Sequence, residues 1–160
     1  MTIKMRVEGL RELDDALKSL STRTAKTTAE RAMRKALRPV ADAAKAAAPR
    51  SDDGKHMADT ITVAKVLKPS QRDGAERPTD FRRIMYVGAE SPHAHLIEFG
   101  TVERFHKSGK STGAMPAHPF MRPAWDGNVQ AVLASLTEHL RREIDRAVAR
   151  AARRAAKAGK

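Results

Sequence analysis

The residues with the clearest chemical potential are histidines and a glutamate in the middle of the chain. His93, His95 and Glu98 lie close together, and His118 follows after a glycine-bearing segment. Imidazole nitrogens and a carboxylate can bind zinc. However, a strand places positions 93 and 95 on one face, whereas a helical turn brings 95 and 98 together, so one backbone conformation does not easily present all three. We therefore expect capping or hydrogen-bonding histidines, with no metal and no cofactor.

A hydrolytic site requires a nucleophile, a base and a group that orients the base. Ser91, Ser108 and Ser111 have histidines nearby, but none lies in a nucleophile elbow and no acidic residue is placed to orient a histidine. The chain has no cysteine, which excludes a thiol nucleophile, a thiolate zinc site and disulfides. A glycine-rich phosphate loop is also missing. We expect a protein that is not an enzyme.

Glu98 stands out among the acidic residues because it lies between Ile97 and Phe99. A half-buried carboxylate needs a partner. An arginine such as Arg122, a neighbouring subunit, and a fold-stabilising hydrogen bond within one subunit all remain open. The apolar residues around it are expected to be core: Leu96, Ile97, Phe99, Phe120 and Trp125.

Charge is concentrated at the two ends of the chain, which has a formal net charge of +12. Residues 51–126 carry 11 basic and 10 acidic groups, whereas residues 127–160 carry 8 and 3. The basic C-terminal segment is compatible with a solvated helix face, with sequence-neutral contact to DNA phosphates, or with docking on an acidic protein ring. No aromatic residue interleaves it, so base stacking is not expected. The candidate contact residues are Arg142, Arg146, Arg150, Arg153 and Arg154.

Apolar spacing predicts the main elements. It indicates a short helix over about 10–20, a long helix capped by Thr24 or Thr27 and kinked at Pro39, and a C-terminal helix from about residue 128. Alternating β-branched residues predict strands at 60–66 and 83–88, joined as a long hairpin whose polar tip spans about 68–79. Residues 149–160 lose their large apolar side chains, so we expect this basic tail to fray.

The segment from Val102 to Ala114 is predicted to be a loop between two apolar anchors that is mobile or awaits a partner, because it can bury little apolar surface. Gly100 is expected to supply a positive backbone torsion or a close approach at its start. No stretch is long and apolar enough to span a membrane, and the N-terminus lacks the apolar run of a signal peptide. We expect a protein made in a cytoplasm, with one domain over residues 1–148 followed by the tail.

Several short motifs occur together in a particular order: Gly9-Leu10, Ala48-Pro49 with Gly54, Tyr86-Val87-Gly88, Glu98-Phe99-Gly100-Thr101, and Pro119-Phe120-Met121-Arg122-Pro123. In this order, over roughly residues 7–148, the chain resembles the small neck and tail-completion proteins of long-tailed phages. Members also occur in prophages and gene transfer agents. The segment after Pro49 departs from the family's usual Pro-x-x-Thr-Gly turn, and the tail is unusually basic.

The resemblance implies an α+β fold, with a small antiparallel sheet packed by an N-terminal long helix and a C-terminal helix. It also implies a virion protein, made in the bacterial host, that forms a ring, expected to be a hexamer, between the head connector or stopper and the tail terminator or tail tube. DNA in the channel is a further expected contact. The alternative is a small basic nucleic-acid-binding protein. The expected interface or fold-defining residues are Glu98, Phe99, Gly100, Thr101, Pro119, Phe120, Arg122 and Pro123.

Overall fold

The fold is α+β, with small antiparallel sheets and long helices towards both ends, as the sequence predicts. The computed structural model describes residues 14, 15, 17, 18, 20–50, 56–68, 71, 72, 79 and 82–158. The elements are α1 (Thr22–Ala36), α2 (Arg38–Ala47), a short 3-10 helix (Met57–Thr60), β1 (Ile61–Ala64), β2 (Tyr86–Ala89), α3 (Ala94–Phe99), β3 (Thr101–Phe105), β4 (Ser111–Met115) and α4 (Met121–Ala158).

The N-terminal helices follow the apolar pattern, with shifted boundaries. Of the predicted helix over 10–20, residues 14, 15, 17 and 18 are helical and most of the rest lies outside the described residues. Helix α1 begins at Thr22, before the predicted caps. Ser21 Oγ accepts the Thr24 N–H at 3.4 Å, a bond typical of a helix N-terminus.

The long helix is interrupted at Leu37, which separates α1 from α2. Pro39 lies in the first turn of α2, where its missing N–H costs nothing. The predicted kink is therefore a break two residues earlier. Ala48, before Pro49, is extended with φ −68° and ψ 135°, so the helix ends where a following proline requires it to end.

The chain divides into two compact units: Met1–Ala36 with Glu76–Met85 and Ala131–Lys160, and Leu37–Ala75 with Tyr86–Gln130. In the second unit, β1 pairs antiparallel with β2, and Ile61 lies opposite Ala89. This confirms the strand pairing of the long hairpin, although most of its tip lies outside the described residues. The single domain over residues 1–148 stays a prediction.

A core of mostly small residues supports the second unit. Its largest members are Phe120 and Ile61, which are 1% and 0% exposed. Alanines from α2 and the residue after it, from the 3-10 helix, from β2 and from the start of α4 pack around them: Ala41, Ala44, Ala48, Ala58, Ala89 and Ala124. Deep burial of Phe120 fixes the point at which α4 begins.

Two segments are more ordered than the sequence predicts. Residues 101–115 form the β3–β4 hairpin, so two paired strands replace the expected irregular loop. That the segment is mobile or awaits a partner stays a prediction. Gly109 has φ 80° in the turn, and the His106 N–H donates to the Lys110 carbonyl across it. Helix α4 reaches Ala158, so the tail is not frayed. Alanine and arginine are strong helix formers, and they sustain the helix without large apolar side chains.

The predicted core residues around Glu98 divide into two groups. Phe120 is buried, and Leu96 and Ile97 are partly buried. Phe99 is 68% exposed and Trp125 is 45% exposed, so both predictions were wrong. Helix α3 is only six residues long, and its last residue faces away from the core that Ile97 contacts.

Candidate functional site

The site is built around Glu98, near the C-terminal end of α3. Its side chain is buried, at 9% exposure, and both carboxylate oxygens accept main-chain N–H groups. Oε2 accepts from Phe120 at 2.8 Å and from Met121 at 2.9 Å, and Oε1 accepts from Arg122 at 3.0 Å. The first N–H groups of a helix have no partner within that helix. Glu98 therefore caps α4 from a distant part of the chain.

The cap changes the pKa of the Glu98 carboxyl group. Burial raises the pKa of Glu98, but the three N–H donors and the nearby Arg122 charge outweigh it and hold the pKa below its ordinary value. The helix N-terminus also favours a negative charge. Arg122 thus contributes its main-chain N–H and its charge, and the partner of Glu98 is the backbone of its own chain.

We define the junction as residues 97–101 and 115–122, which lie against each other around the Glu98 cap. Gly100 is a point of close backbone approach in this junction. Its φ of 71° and ψ of −176° belong to a region that is essentially restricted to glycine. A Cβ at this position would lie 2.7 Å from both the Ala117 nitrogen and the Met115 oxygen. Both expectations for Gly100, a positive torsion and a close approach, are confirmed.

Further hydrogen bonds join the two segments of the junction. The His118 N–H donates to the Ile97 carbonyl at 2.7 Å, and the Met115 N–H donates to Thr101 Oγ1 at 3.0 Å. Pro119 is exposed immediately before the buried Phe120, and Pro123 lies in the first turn of α4. The junction therefore fixes the base of the β3–β4 hairpin against the start of α4.

The hairpin carries an apolar surface. Every residue from Val102 to Met115 is exposed. Four of the exposed large hydrophobic residues belong to the hairpin or its base: Phe99, Val102, Phe105 and Met115. A two-stranded hairpin is marginal in water unless something packs against it. This surface is suited to a partner.

The histidines do not converge with Glu98 on a ligand. His93, His95 and His118 are exposed, and His93 precedes α3 without a side-chain cap. The oxygens of Glu98 are occupied by the start of α4. Within the described ranges, no group of three or more histidine, aspartate or glutamate side chains could hold a metal ion.

A second buried carboxylate lies in the other unit. Glu143 on α4 is 4% exposed, and its Oε1 accepts from Lys35 Nζ on α1 at 2.7 Å and from Arg146 at 3.0 Å. The hydrogen bond from Lys35 lowers the pKa of Glu143, although burial opposes it. Sequence reasoning missed this pair, which spans 108 positions. The available signal was that Glu143 lies three residues from Leu140 on the apolar face of α4.

We expect Lys35→Met to lower the free energy of unfolding by about 1 kcal/mol, because Glu143 then stays buried with Arg146 alone while half-exposed Lys35 loses little packing. Urea unfolding measures the change. Lys18→Met is the control, since the Lys18–Asp14 pair is exposed on both sides and its loss should be undetectable. Equal effects of the two substitutions would contradict a structural role for the Lys35–Glu143 pair.

The arginines predicted to contact DNA or an acidic partner all lie on α4. Arg142 pairs with Glu138 at 2.7 Å, and Arg146 pairs with Glu143. Arg150, Arg153 and Arg154 are exposed.

Comparison with known proteins decides the family. A family model described as "Bacteriophage HK97-gp10, putative tail-component" matches residues 11–100, which is more than half of the chain. The chain belongs to this family. The predicted relation to phage neck and tail-completion proteins is thereby confirmed at the level of an HK97-gp10-like tail component. No curated protein and no solved structure matches the chain.

HK97-gp10-like membership implies a place in the virion and contact with other tail proteins. The match ends at Gly100, so the β3–β4 hairpin and α4 lie beyond it. No helix in the described part of the chain is long and apolar enough to cross a membrane.

Proposed function

We propose that this protein is a non-enzymatic structural component of the phage neck, which forms a ring that joins the head connector to the tail tube. The family match supports a tail role. The observation that carries the finer proposal is the β3–β4 hairpin, which is exposed from Val102 to Met115 and bears apolar side chains that the other described residues leave uncovered.

Protein interfaces gain most of their affinity from a few apolar or aromatic anchors. Phe105 is 63% exposed and offers an aromatic anchor, and Val102, which is 82% exposed, adds apolar area on the same strand. The Glu98 cap and the close packing at Gly100 hold the base of the hairpin, and a contact element fixed in this way loses less entropy on binding. These contacts at the base support the proposal that the hairpin is a contact element.

A ring needs one surface that binds a different surface on the next copy and closes after a fixed number of copies. A hexamer is the expected number, with the head connector or stopper on one side and the tail terminator or tail tube on the other. The hairpin is proposed to serve one of these contacts. The tip of the β1–β2 hairpin, about residues 68–79, is proposed as a second.

Deletion of residues 103–113 tests the proposal. Thr101 and Met115 are cross-strand partners, so the deletion joins neighbouring ends and leaves the core untouched. We expect a folded protein that fails to join heads to tails, because its contact element is gone. Far-ultraviolet circular dichroism and urea unfolding report the fold. Particle infectivity and electron microscopy of free heads and tails report the joining.

A milder pair of variants separates the hairpin from exposed apolar residues in general. Val102→Ser removes an exposed apolar side chain from the β3–β4 hairpin, whereas Val148→Ser removes an exposed valine, at 43%, from α4, outside both proposed contact elements. We expect joining to fall only with Val102→Ser. Normal joining by the deletion variant would overturn the proposal.

A further inference from the structure

The C-terminal half of α4 carries a continuous line of cations. We call Arg142, Arg146, Arg150, Arg153, Arg154 and Lys157 the arginine stripe. At about 3.6 residues per turn, all except Arg154 fall within about 80° around the helix, and Arg154 flanks them. From Arg142 to Lys157 the stripe is about 22 Å long, at about 1.5 Å per residue.

Most of the stripe has no neutralising partner among the described residues. Glu138 pairs with Arg142 and Glu143 pairs with Arg146. The last acidic residue of the chain is Asp145. Beyond it, Arg150, Arg153, Arg154 and Lys157 form no ion pair within the described part of the chain.

The stripe is also electrostatically unfavourable in the free protein. Arg146, Arg150 and Arg154 follow each other at intervals of four residues, and Arg153 and Lys157 do the same. Like charges at this spacing repel each other and destabilise a helix. A bound polyanion reduces that repulsion, so binding of an anionic partner stabilises the helix.

The composition of this half-helix favours a phosphate backbone over a protein. No aromatic and no large apolar residue follows Val148, and the residues between the cations are alanines. Protein interfaces use arginine, but they also bury an apolar core, and this half-helix offers no aromatic or large apolar side chain to form one. Contact with DNA phosphates needs only positive charge, and arginine matches phosphate geometry well.

We infer that the distal half of α4 binds the backbone of double-stranded DNA without sequence preference, through Arg150, Arg153, Arg154 and Lys157. This adds a nucleic-acid contact to the proposed neck role. It does not depend on ring formation, because the stripe lies on one helix of one chain.

The affinity of the whole protein for short fluorescent duplexes of unrelated sequence tests this inference. Fluorescence anisotropy is measured over a range of sodium chloride concentrations. Four phosphate contacts predict a slope of log affinity against log salt of about −3.6. Arg150→Gln, Arg153→Gln and Arg154→Gln in one variant should weaken binding at least about tenfold and reduce the slope by about 3, equally for every sequence. Glutamine preserves helix propensity, which circular dichroism verifies.

A charge-matched control removes three cations from elsewhere. Arg104→Gln, Lys107→Gln and Lys110→Gln together change the net charge equally but leave α4 intact. We expect this variant to bind DNA nearly as well as the unaltered protein. Equal weakening by both triple variants would overturn the inference, because net charge alone would then explain binding.

Poly-L-glutamate tests the other partner class. This polymer is a polyanion without phosphate, so it should bind more weakly than duplex DNA. Replacing Arg150, Arg153 and Arg154 with lysine keeps the positive charge, so the salt slope of DNA binding should be preserved. Binding to poly-L-glutamate as tight as to DNA would overturn the assignment in favour of an acidic protein partner. The joining assay of the hairpin variants tests the proposed neck role separately, whichever result the binding experiments give.

Discussion

Glu98→Ala is expected to lower the free energy of unfolding by about 3 kcal/mol. The substitution leaves the N–H groups of Phe120, Met121 and Arg122 without their carboxylate, and the Phe120 group lies in a buried setting. Hydrogen bonds to a charged group contribute about 1.5–3 kcal/mol each, and three such bonds to one carboxylate are not additive. Water can reach the exposed side of the helix start and restores part of the loss. Urea unfolding followed by circular dichroism measures the change.

Two further variants identify the cause. Glu98→Gln keeps the size of the side chain but replaces one accepting oxygen with an NH₂ group, so its cost should lie between those of the alanine variant and the unaltered protein. Glu103→Ala removes an exposed glutamate that accepts one hydrogen bond from Ser111 at 2.7 Å. Its effect should be small. A Glu98→Ala effect no larger than that of Glu103→Ala would show that the cap does not stabilise α4.

The same carboxylate makes stability depend on pH in a defined direction. The pKa of Glu98 is lower in the folded protein than its ordinary value of 4.5. Such a group contributes its full stabilisation above the unfolded pKa, and this contribution disappears as the pH falls through the folded pKa. The pKa of Glu143 is also lower in the folded protein than its ordinary value. The free energy of unfolding should therefore fall as the pH drops below about 4.5. The Glu98→Gln variant should lose less stability than the unaltered protein over the same pH range.

The partner of Glu98 shows where sequence reasoning ends. The position between Ile97 and Phe99 predicts a carboxylate that needs a partner, and this carboxylate is indeed buried. Its partners are main-chain N–H groups 22 to 24 positions away, which have no side-chain signature. An arginine is a visible candidate in a sequence, whereas a helix N-terminus becomes a candidate only when its place in the fold is known.

The hairpin and the tail were misjudged for a related physical reason. The first is predicted to be a loop that is mobile or awaits a partner, and the second is predicted to fray, because both bury little apolar surface. In β3–β4, cross-strand hydrogen bonds and the glycine turn define the local structure, while the junction holds its base. In the last turns of α4, helix propensity is sufficient. Burial predicts where a core lies, and it is a poor guide to local structure in exposed segments that have strong local preferences.

The N-terminal helices and the β1–β2 pairing were predictable because periodic apolar residues and β-branched alternation report directly on local structure. Pro39 and Pro49 also mark real helix boundaries. In contrast, the Lys35–Glu143 pair joins α1 to α4 across 108 positions. Charges at such a separation have many possible partners, so only the packed helices select the pair.

Gly100→Ala is expected to be at least as damaging as the loss of the Glu98 carboxylate, with a cost above about 3 kcal/mol or failure to fold. Two independent penalties act at this residue. The φ of 71° with an extended ψ is a conformation that costs a residue with a side chain about 1–3 kcal/mol. In addition, the new methyl group would lie 2.7 Å from two backbone atoms, the Ala117 nitrogen and the Met115 oxygen. Backbone atoms held by neighbouring hydrogen bonds cannot yield as a flexible side chain can.

The chain contains controls that separate these two penalties. Gly109 and Gly113 also have positive φ, at 80° and 76°, but an added Cβ meets nothing within 4 Å at either position. Gly109→Ala and Gly113→Ala should therefore show the torsional cost alone, about 1–2 kcal/mol. Urea unfolding of the three variants gives the comparison directly. If Gly100→Ala costs no more than the other two, the strands of the junction are free to separate, and the base of the hairpin is not held as proposed. A clear excess at Gly100 means that the hairpin is mounted on a fixed base, which is the property that a contact element of the proposed joining ring requires.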